Sequence, residues 1–297
     1  MKKLKLFYNP ASGDKGFKAG LDDYISAFQI VGYETHLFRL SDKRDMQDHI
    51  SSMPHNHYDA IAVAGGDGTV NLAINSLIAA GHNAPLLIIP AGTANDFASF
   101  LGLSKAPADC ARMLKHGNII NCDVGLCNDK HFINVCGAGL FSHVSQEVDH
   151  SMKSTLGKPA YYIKSLEEIP NFQPLSMRIT NSTNTFEEDV LLFLVLNTSG
   201  TGGFENLAPT ASITDGLFDF IAFRASPILD LGRLLFKIIK QDYLDDPGVI
   251  YFKDDYVKIE LLSGDVKYNL CDIDGEYGPK MPLVIRQLHN KLPLLMP

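Results

Sequence analysis

The sequence predicts an α/β protein of two domains: an N-terminal three-layer α/β domain, then a second domain that is mainly an antiparallel β-sandwich. Three observations carry that prediction. Up to Cys122 the apolar spacing switches repeatedly between a period of two and a period near 3.6, so strands alternate with helices. Beyond Cys122 the pattern becomes short apolar runs divided by Asn, Gly, Asp and Ser. The length, 297 residues, suits two domains of about 150 residues each.

The elements follow in order. Lys5 to Tyr8 reads as a strand ending in the turn Asn9-Pro10-Ala11-Ser12-Gly13. Leu21, Tyr24, Ile25, Phe28 and Val31 place a helix over Phe17 to Val31. Tyr33 to Leu40 alternates as a strand, and Asp45 to Met53 is helical. The apolar strand Tyr58 to Ala64 runs into Gly65-Gly66-Asp67-Gly68-Thr69 and a helix over Val70 to Ala80. Leu86 to Ile89 is a buried strand ending in Pro90-Ala91-Gly92-Thr93-Ala94-Asn95-Asp96. Such alternation implies crossover units and a largely parallel sheet covered on both faces. In the second domain, strands are expected at Phe132–Cys136, Ser176–Thr180, Val190–Leu196, Phe218–Phe223, Val257–Leu262, Val266–Leu270 and Leu283–Ile285. Helices are expected over Ala160–Ile169 and Ile228–Gln241.

Composition narrows the function. At 45% hydrophobic and 20% charged residues the chain is ordinarily globular, which excludes disorder, collagen and coiled coil. Asp and Glu total 34 against 26 Lys and Arg, a net charge of −8 with no basic run longer than a pair, which argues against nucleic acid as a partner. The five cysteines, Cys110, Cys122, Cys127, Cys136 and Cys271, form no C-x-x-C pair and read as small buried hydrophobes in a reducing compartment. The N-terminal apolar residues meet Asn9-Pro10 before a signal-peptide core can form, and no apolar run approaches the roughly 20 residues of a membrane span. The expectation is a cytoplasmic protein.

Three turns with unusual chemistry, Asn9 to Gly13, Gly65 to Thr69 and Gly92 to Asp96, sit at the carboxyl ends of the predicted parallel strands, where ligands bind in such sheets. Glycine lets the backbone approach a phosphate, and a following helix adds N–H donors and positive dipole. Asp67 beside phosphates would serve Mg²⁺. Any one such loop reads equally as a plain strand-to-helix turn; three on one sheet edge favour a ligand site. Neither G-x-x-x-x-G-K-[ST] nor G-x-G-x-x-G occurs here. Asp274-Gly275-Glu276, read alone, is an Asp-Gly hairpin between Val266–Leu270 and Leu283–Ile285. Thr198 to Phe204 is a further glycine-rich stretch that could cradle a phosphate, line a lipid entrance or be a loop. On Ile228–Gln241, the residues Asp230, Arg233, Lys237 and Lys240 oppose a broad apolar face; the helix either packs on the second domain or offers cations to anionic headgroups.

Taken together, Asn9-Pro10-x-Ser12-Gly13, Gly65-Gly66-Asp67-Gly68-Thr69, Gly92-Thr93-x-Asn95-Asp96-Phe97 and Asp274-Gly275-Glu276 resemble the soluble bacterial diacylglycerol kinase-type lipid kinases, from residue 5 to the C-terminus. The resemblance implies a first domain of NAD kinase/phosphofructokinase-like fold over residues 1–122, to which 287–297 could return, and a lipid-substrate domain over 123–286. It implies ATP held in the cleft between domains by Asn9, Pro10, Ala11, Ser12, Gly13, Gly66, Asp67, Gly68, Thr69, Val70, Asn71, Leu72 and Thr93. A family threonine after the second strand has Ser41 as its nearest match, with Leu40 as the other alignment. Asp67 would organise the catalytic Mg²⁺, Asp96 would sit in its hydrogen-bonded network, and Glu276 would be the general base toward the lipid hydroxyl. A second, structural Mg²⁺ would use Ser212, Asp215 and Leu217, where the match is loose. The implied reaction is phosphorylation of diacylglycerol to phosphatidic acid, with peripheral membrane contact and, by the same resemblance, a homodimer. Two other functions compete: an NAD kinase, which shares the Gly65 to Thr69 loop, and a non-catalytic nucleotide or lipid sensor. The other turns argue against the first, and the joint presence of Asp67, Asp96 and Glu276 against the second.

Overall fold

The computed structural model describes residues 1–13, 16–140, 173–201, 204, 206–226, 233–234, 237–238, 240–264 and 268–297. The expected helix over 160–169 lies outside them, as do parts of 198–204, 228–241 and 266–270. The chain divides into two compact units, Met1–Asp123 with Asn290–Pro297, and Val124–His289.

The first unit is built on parallel strands β1 (Lys2–Tyr8), β2 (Tyr33–Arg39), β3 (Ala60–Gly65) and β4 (Leu86–Pro90), in the order β4-β3-β1-β2. The end of the last strand, β15 (Leu283–Met296), joins beyond β4 through Leu294 opposite Leu86, again parallel. Six helices accompany these strands: α1 (Gly16–Ala19), α2 (Leu21–Ile30), α3 (Lys43–Ser52), α4 (Asp67–Ala79), α5 (Asp96–Phe100) and α6 (Pro107–His116). Alternation along the strands separates the two faces. Leu4, Leu6, Ala60, Ala62 and Ala64 pack with Tyr24 and Phe28 of α2 and with Cys110, Met113 and Leu114 of α6. On the opposite face Phe7 meets His49 of α3 edge to face. These are the three expected layers. The helix expected over Phe17 to Val31 is broken at Gly20, which lies between α1 and α2 and caps the latter. α3 starts earlier than its apolar pattern because Asp42 caps it, accepting from Arg44 N at 3.1 Å while Asp45 accepts from Asp42 N. The short α5 and the Pro107-initiated α6 were not expected.

The second unit is antiparallel in its paired strands. Its path runs β14 (Glu276–Lys280), β13 (Leu270–Ile273), β7 (Val135–Gly139), β9 (Thr185–Leu196), β8 (Leu175–Asn181), β12 (Tyr256–Ser263) and the start of β15. β10 (Phe218–Arg224) pairs with β9 and β11 (Val249–Asp254), and β5 (Asn118–Cys127) with β6 (Lys130–Phe132). β10 buries both faces: Phe218, Phe220 and Ala222 enter one core, Ile221 and Phe223 another. Phe193, Phe220 and Phe252 stack in series at 6.0 and 4.5 Å. β9 begins five residues before the expected Val190, in acidic Thr185–Asp189. Glu187 and Glu188 are tolerated there because Arg178 and Arg224 pair with them at 2.7 and 2.9 Å.

Candidate active site

After β1 the chain crosses to β2 on one side of the sheet, and after β3 it crosses to β4 on the other. The loops leaving β1 and β3 therefore diverge, and a crevice opens beyond their carboxyl ends. Register puts Asn9, Gly65 and Pro90 in one row, since Tyr8 lies opposite Ala64 and Gly65 opposite Pro90.

The three glycine turns meet in that row. Asn9 Oδ1 accepts from Ala11 N at 2.9 Å, and Asn9 Nδ2 donates to Thr69 Oγ1 at 3.2 Å, tying the first turn to the second. Gly13, at φ +53°, sits so close to the third turn that a Cβ would lie 2.5 Å from Ala91 O. A Cβ on Gly92 would lie 2.4 Å from the Cα of Gly66. The backbones of the second and third turns thus touch, and neither position admits a side chain. Asn95, in the left-handed region at φ 52°, grips the third turn from both sides: its Oδ1 accepts from Gly92 N and its Nδ2 donates to Gly92 O, each at 2.8 Å. Gly66 caps α4 without a side-chain bond, so the positive end of that helix dipole lies at the second turn.

Asp67 is the first residue of α4, and its Oδ1 accepts from Phe97 N at 3.3 Å. Burial and then the neighbouring charge of Asp96 push its carboxyl above the usual aspartate range, despite N–H donors from Phe97, Asp96 and Asp67 itself. A buried carboxylate that feels the charge of a second one could hold a divalent cation. Gly65, Gly66, Asp67, Val70, Pro90, Asn95 and Phe97 line a shallow depression beside them.

The other predicted residues fall around this row. Thr93 is exposed at the tip of the third turn, and Asn71 and Leu72 are half-buried on the first turns of α4. Val70 is buried, and its N–H donates to Gly66 O at 3.0 Å. Leu40 is buried with its N–H on Tyr8 O, whereas Ser41 is exposed at the end of β2. Sequence reasoning misses Asn95 and the N–H of Phe97 as site groups; an asparagine after Gly-Thr-Ala, able to adopt left-handed backbone, is the signal for the first.

In the second unit, Asp274 and Gly275 form the two-residue loop between β13 and β14, with φ values of 50° and 83°. That is a type I′ turn, but between different strands from those expected. Residues 266–267 lie outside the description, and β13 is Leu270–Ile273. The Asp274 carboxylate accepts three backbone N–H groups, Ile133 at 2.8 Å, Asn134 at 3.0 Å and Val135 at 2.8 Å. Thr198 Oγ1 donates to Asn134 Oδ1, and Asn197 Nδ2 to Ile133 O at 2.9 Å, so a polar network braces the hairpin from beneath. Glu276 follows as an exposed residue opening β14. Replacing Asp274 with Ala should destabilise the fold by on the order of 3 kcal/mol, because the N–H groups of residues 133–135 lose their acceptor. Asp274→Asn, which retains one oxygen for Asn134 and Val135, should lose less; urea unfolding of both variants checks the ranking.

At the loop expected to hold a structural ion, Asp215 Oδ1 accepts from Leu217 N at 3.0 Å and Ser212 Oγ lies 3.3 Å from Thr214 Oγ1. A cation is already there: Lys253 Nζ lies 3.0 Å from Asp215 Oδ2, 3.6 Å from Asp219 Oδ2 and 2.8 Å from Thr210 O. Lys237 Nζ pairs with buried Asp246 at 2.7 Å and holds its carboxyl below the usual range, with Arg233 at 3.9 Å from the same oxygen.

Residues 3–127 match the diacylglycerol kinase catalytic domain, and residues 134–296 match the YegS C-terminal NAD kinase beta sandwich-like domain. Over 100% of its length the chain is 33% identical to the diacylglycerol kinase of Bacillus subtilis (strain 168), covering 97% of that relative. The chain belongs to the diacylglycerol kinase family. A diacylglycerol kinase of Staphylococcus aureus (strain bovine RF122 / ET3-1) is 32% identical, over 100% of this chain and 93% of the relative. A crystal structure of a diacylglycerol kinase candidate from Bacillus anthracis str. Sterne superposes with a TM-score of 0.83 at 26% identity, over 100% of this chain and 95% of that one. The protein is a lipid kinase, and its α/β domain and β-sandwich-like domain are those of the diacylglycerol kinases of NAD kinase-like fold. Among the described residues no helix is long and apolar enough to cross a membrane.

Proposed function

We propose that this lipid kinase transfers the γ-phosphate of ATP, with Mg²⁺, to the hydroxyl of diacylglycerol or a close lipid alcohol, giving phosphatidic acid or its analogue. The observation that supports this most is the meeting of three glycine turns and the Asp67–Asp96 pair at the β1/β3 switch point. Close backbone and the N-terminus of α4 suit phosphates without a P-loop lysine. Asn9 to Gly13, Gly66 to Leu72 and Thr93 would hold the nucleotide, with Ser41 at the rim.

Phosphoryl transfer needs positioning and neutralisation of charge more than covalent help. Asp67 fits the ion: its carboxyl is strained upward by burial and by Asp96, a repulsion that a divalent cation relieves. Bound Mg²⁺ supplies electrostatic stabilisation of the transferring group. Asp96 acts on Asp67, through its backbone N–H and its charge. The attacking lipid hydroxyl loses its proton to Glu276, an exposed carboxylate at the start of β14. The Ser212–Leu217 loop fits a second ion less well, because Lys253 already provides positive charge to Asp215, so the reading uses one metal.

A cytoplasmic enzyme with such a substrate must touch the bilayer, and Arg233, Lys237 and Lys240 are the proposed cations; the first two also face Asp246. The deciding experiment supplies labelled ATP and Mg²⁺ with diacylglycerol, phosphatidylglycerol and sphingoid bases in mixed micelles, and NAD in parallel. Phosphatidic acid should be the dominant labelled product on thin-layer chromatography. Label passing only to NAD, or to no lipid alcohol, would overturn the proposal.

A further inference from the structure

Three cysteines far apart in sequence converge in the second unit: the sulfurs of Cys127 on β5, Cys136 on β7 and Cys271 on β13 all lie within 4.8 Å of one another. All three side chains are fully buried and reduced. Sheet pairing makes the cluster, since Ile273 of β13 lies opposite Cys136 of β7 and brings Cys271 diagonally across from it. Space is kept for it as well: a Cβ on Gly278 would lie 2.3 Å from Cys271 Sγ, so β14 can pass there only as glycine.

We propose that Cys127, Cys136 and Cys271 form a three-coordinate binding site for a soft, thiophilic metal ion, with monovalent copper as the ion it suits. The donor set is sulfur alone, which selects soft ions over Mg²⁺ or Ca²⁺. A metal–sulfur bond of about 2.3 Å places the three sulfurs of a trigonal site about 4.0 Å apart, within the observed spread. Zn²⁺ in a structural site takes four ligands, and this cluster offers three among the described residues. Three thiols bind one Cu⁺ by giving up protons to solvent, with no change of oxidation state at sulfur or metal.

The ion would join the end of β5 to the starts of β7 and β13, three residues from Asp274 and beside Val135, which Asp274 holds. Because β13 and β14 end the strand path, opening of this hairpin is the route inward. The proposal does not depend on the ATP reading, and no activity enters its test.

The test titrates the reduced, full-length protein with Cu(I) under anaerobic conditions, against a colorimetric Cu(I) chelator. One equivalent should be retained, with protons released at neutral pH and a rise in melting temperature of roughly 5–10 °C at 100-fold excess over Kd. Cys271→Ala should lose the retained equivalent, and Cys110→Ala, altered in the other unit, should keep it. X-ray absorption at the copper edge of the wild-type protein should show three sulfur neighbours, which decides the matter even if a variant does not fold. No retained copper, retention unchanged in Cys271→Ala, or nitrogen and oxygen neighbours in place of sulfur would each overturn the site and return the cysteines to core filling.

Discussion

Asp67→Asn should reduce kcat/KM on the order of 10³-fold or more while leaving the melting temperature unchanged or higher. The loss follows from the role proposed for the carboxylate, since a metal held at the transferring phosphoryl group supplies several kcal/mol of transition-state stabilisation, and each 1.36 kcal/mol is tenfold in rate. The stability side has its own cause. Asp67 has its carboxyl raised in the folded state, by burial first and Asp96 second, so the ionised form is disfavoured by folding. A raised acid binds its proton more tightly folded than unfolded, and stability then declines as pH climbs from the ordinary aspartate value through the raised one. Asparagine keeps the Oδ1 that accepts from Phe97 N but carries no charge, and it escapes that decline. The gap in melting temperature between variant and wild type should therefore widen from pH 4 to pH 7 in metal-free buffer. Added Mg²⁺ should raise the wild-type value and not that of the variant. Should Asp67→Asn remain fully active, the metal role falls; should it melt markedly lower, Asp67 is a cap and no more.

Glu276→Gln should lower kcat by about 10²–10⁴-fold, the range for losing a positioned proton acceptor, with nucleotide affinity and melting temperature nearly unchanged. The side chain is exposed, and the turn it follows is held by the Asp274 carboxylate and the left-handed pair Asp274-Gly275. A hairpin brace would give the reverse pattern, lower stability with activity intact. Turnover, nucleotide binding and melting measured on one preparation separate the two, and a fully active variant leaves the base unidentified.

The legibility of these residues in the sequence varied with how local their reasons are. Gly65 to Thr69 could be read directly, because an apolar strand runs straight into glycines and an acidic helix start, and the structure brings it against the other two turns. The three layers followed from alternating periods. Gly20 breaking the first long helix was readable in principle but lost against an uninterrupted apolar spacing. The hairpin carrying Glu276 was assigned to the wrong strands, since Val266–Leu270 looks more strand-like than Cys271 to Ile273 followed by Glu-Tyr-Gly-Pro. Pairing of β13 with both β14 and β7 makes that segment a strand. The extension of β9 through acidic residues depends on arginines from β8 and β10, and the cysteine cluster on strands that meet from distant parts of the chain. Such contacts have no one-dimensional signature.

β15 begins in one unit, where Leu283 lies opposite Ile259, and ends in the other, where Leu294 lies opposite Leu86. Asn290, at the start of its crossing, donates its N–H to buried Asp123 at 2.8 Å. During synthesis at about 5–20 residues per second, the N-terminal sheet waits roughly 10–30 s between the emergence of Asp123 and that of its final strand. Over that interval the flank of β4 is an unpaired, apolar sheet edge on a nascent chain, the kind of surface that chaperones hold and that aggregates when it is left bare.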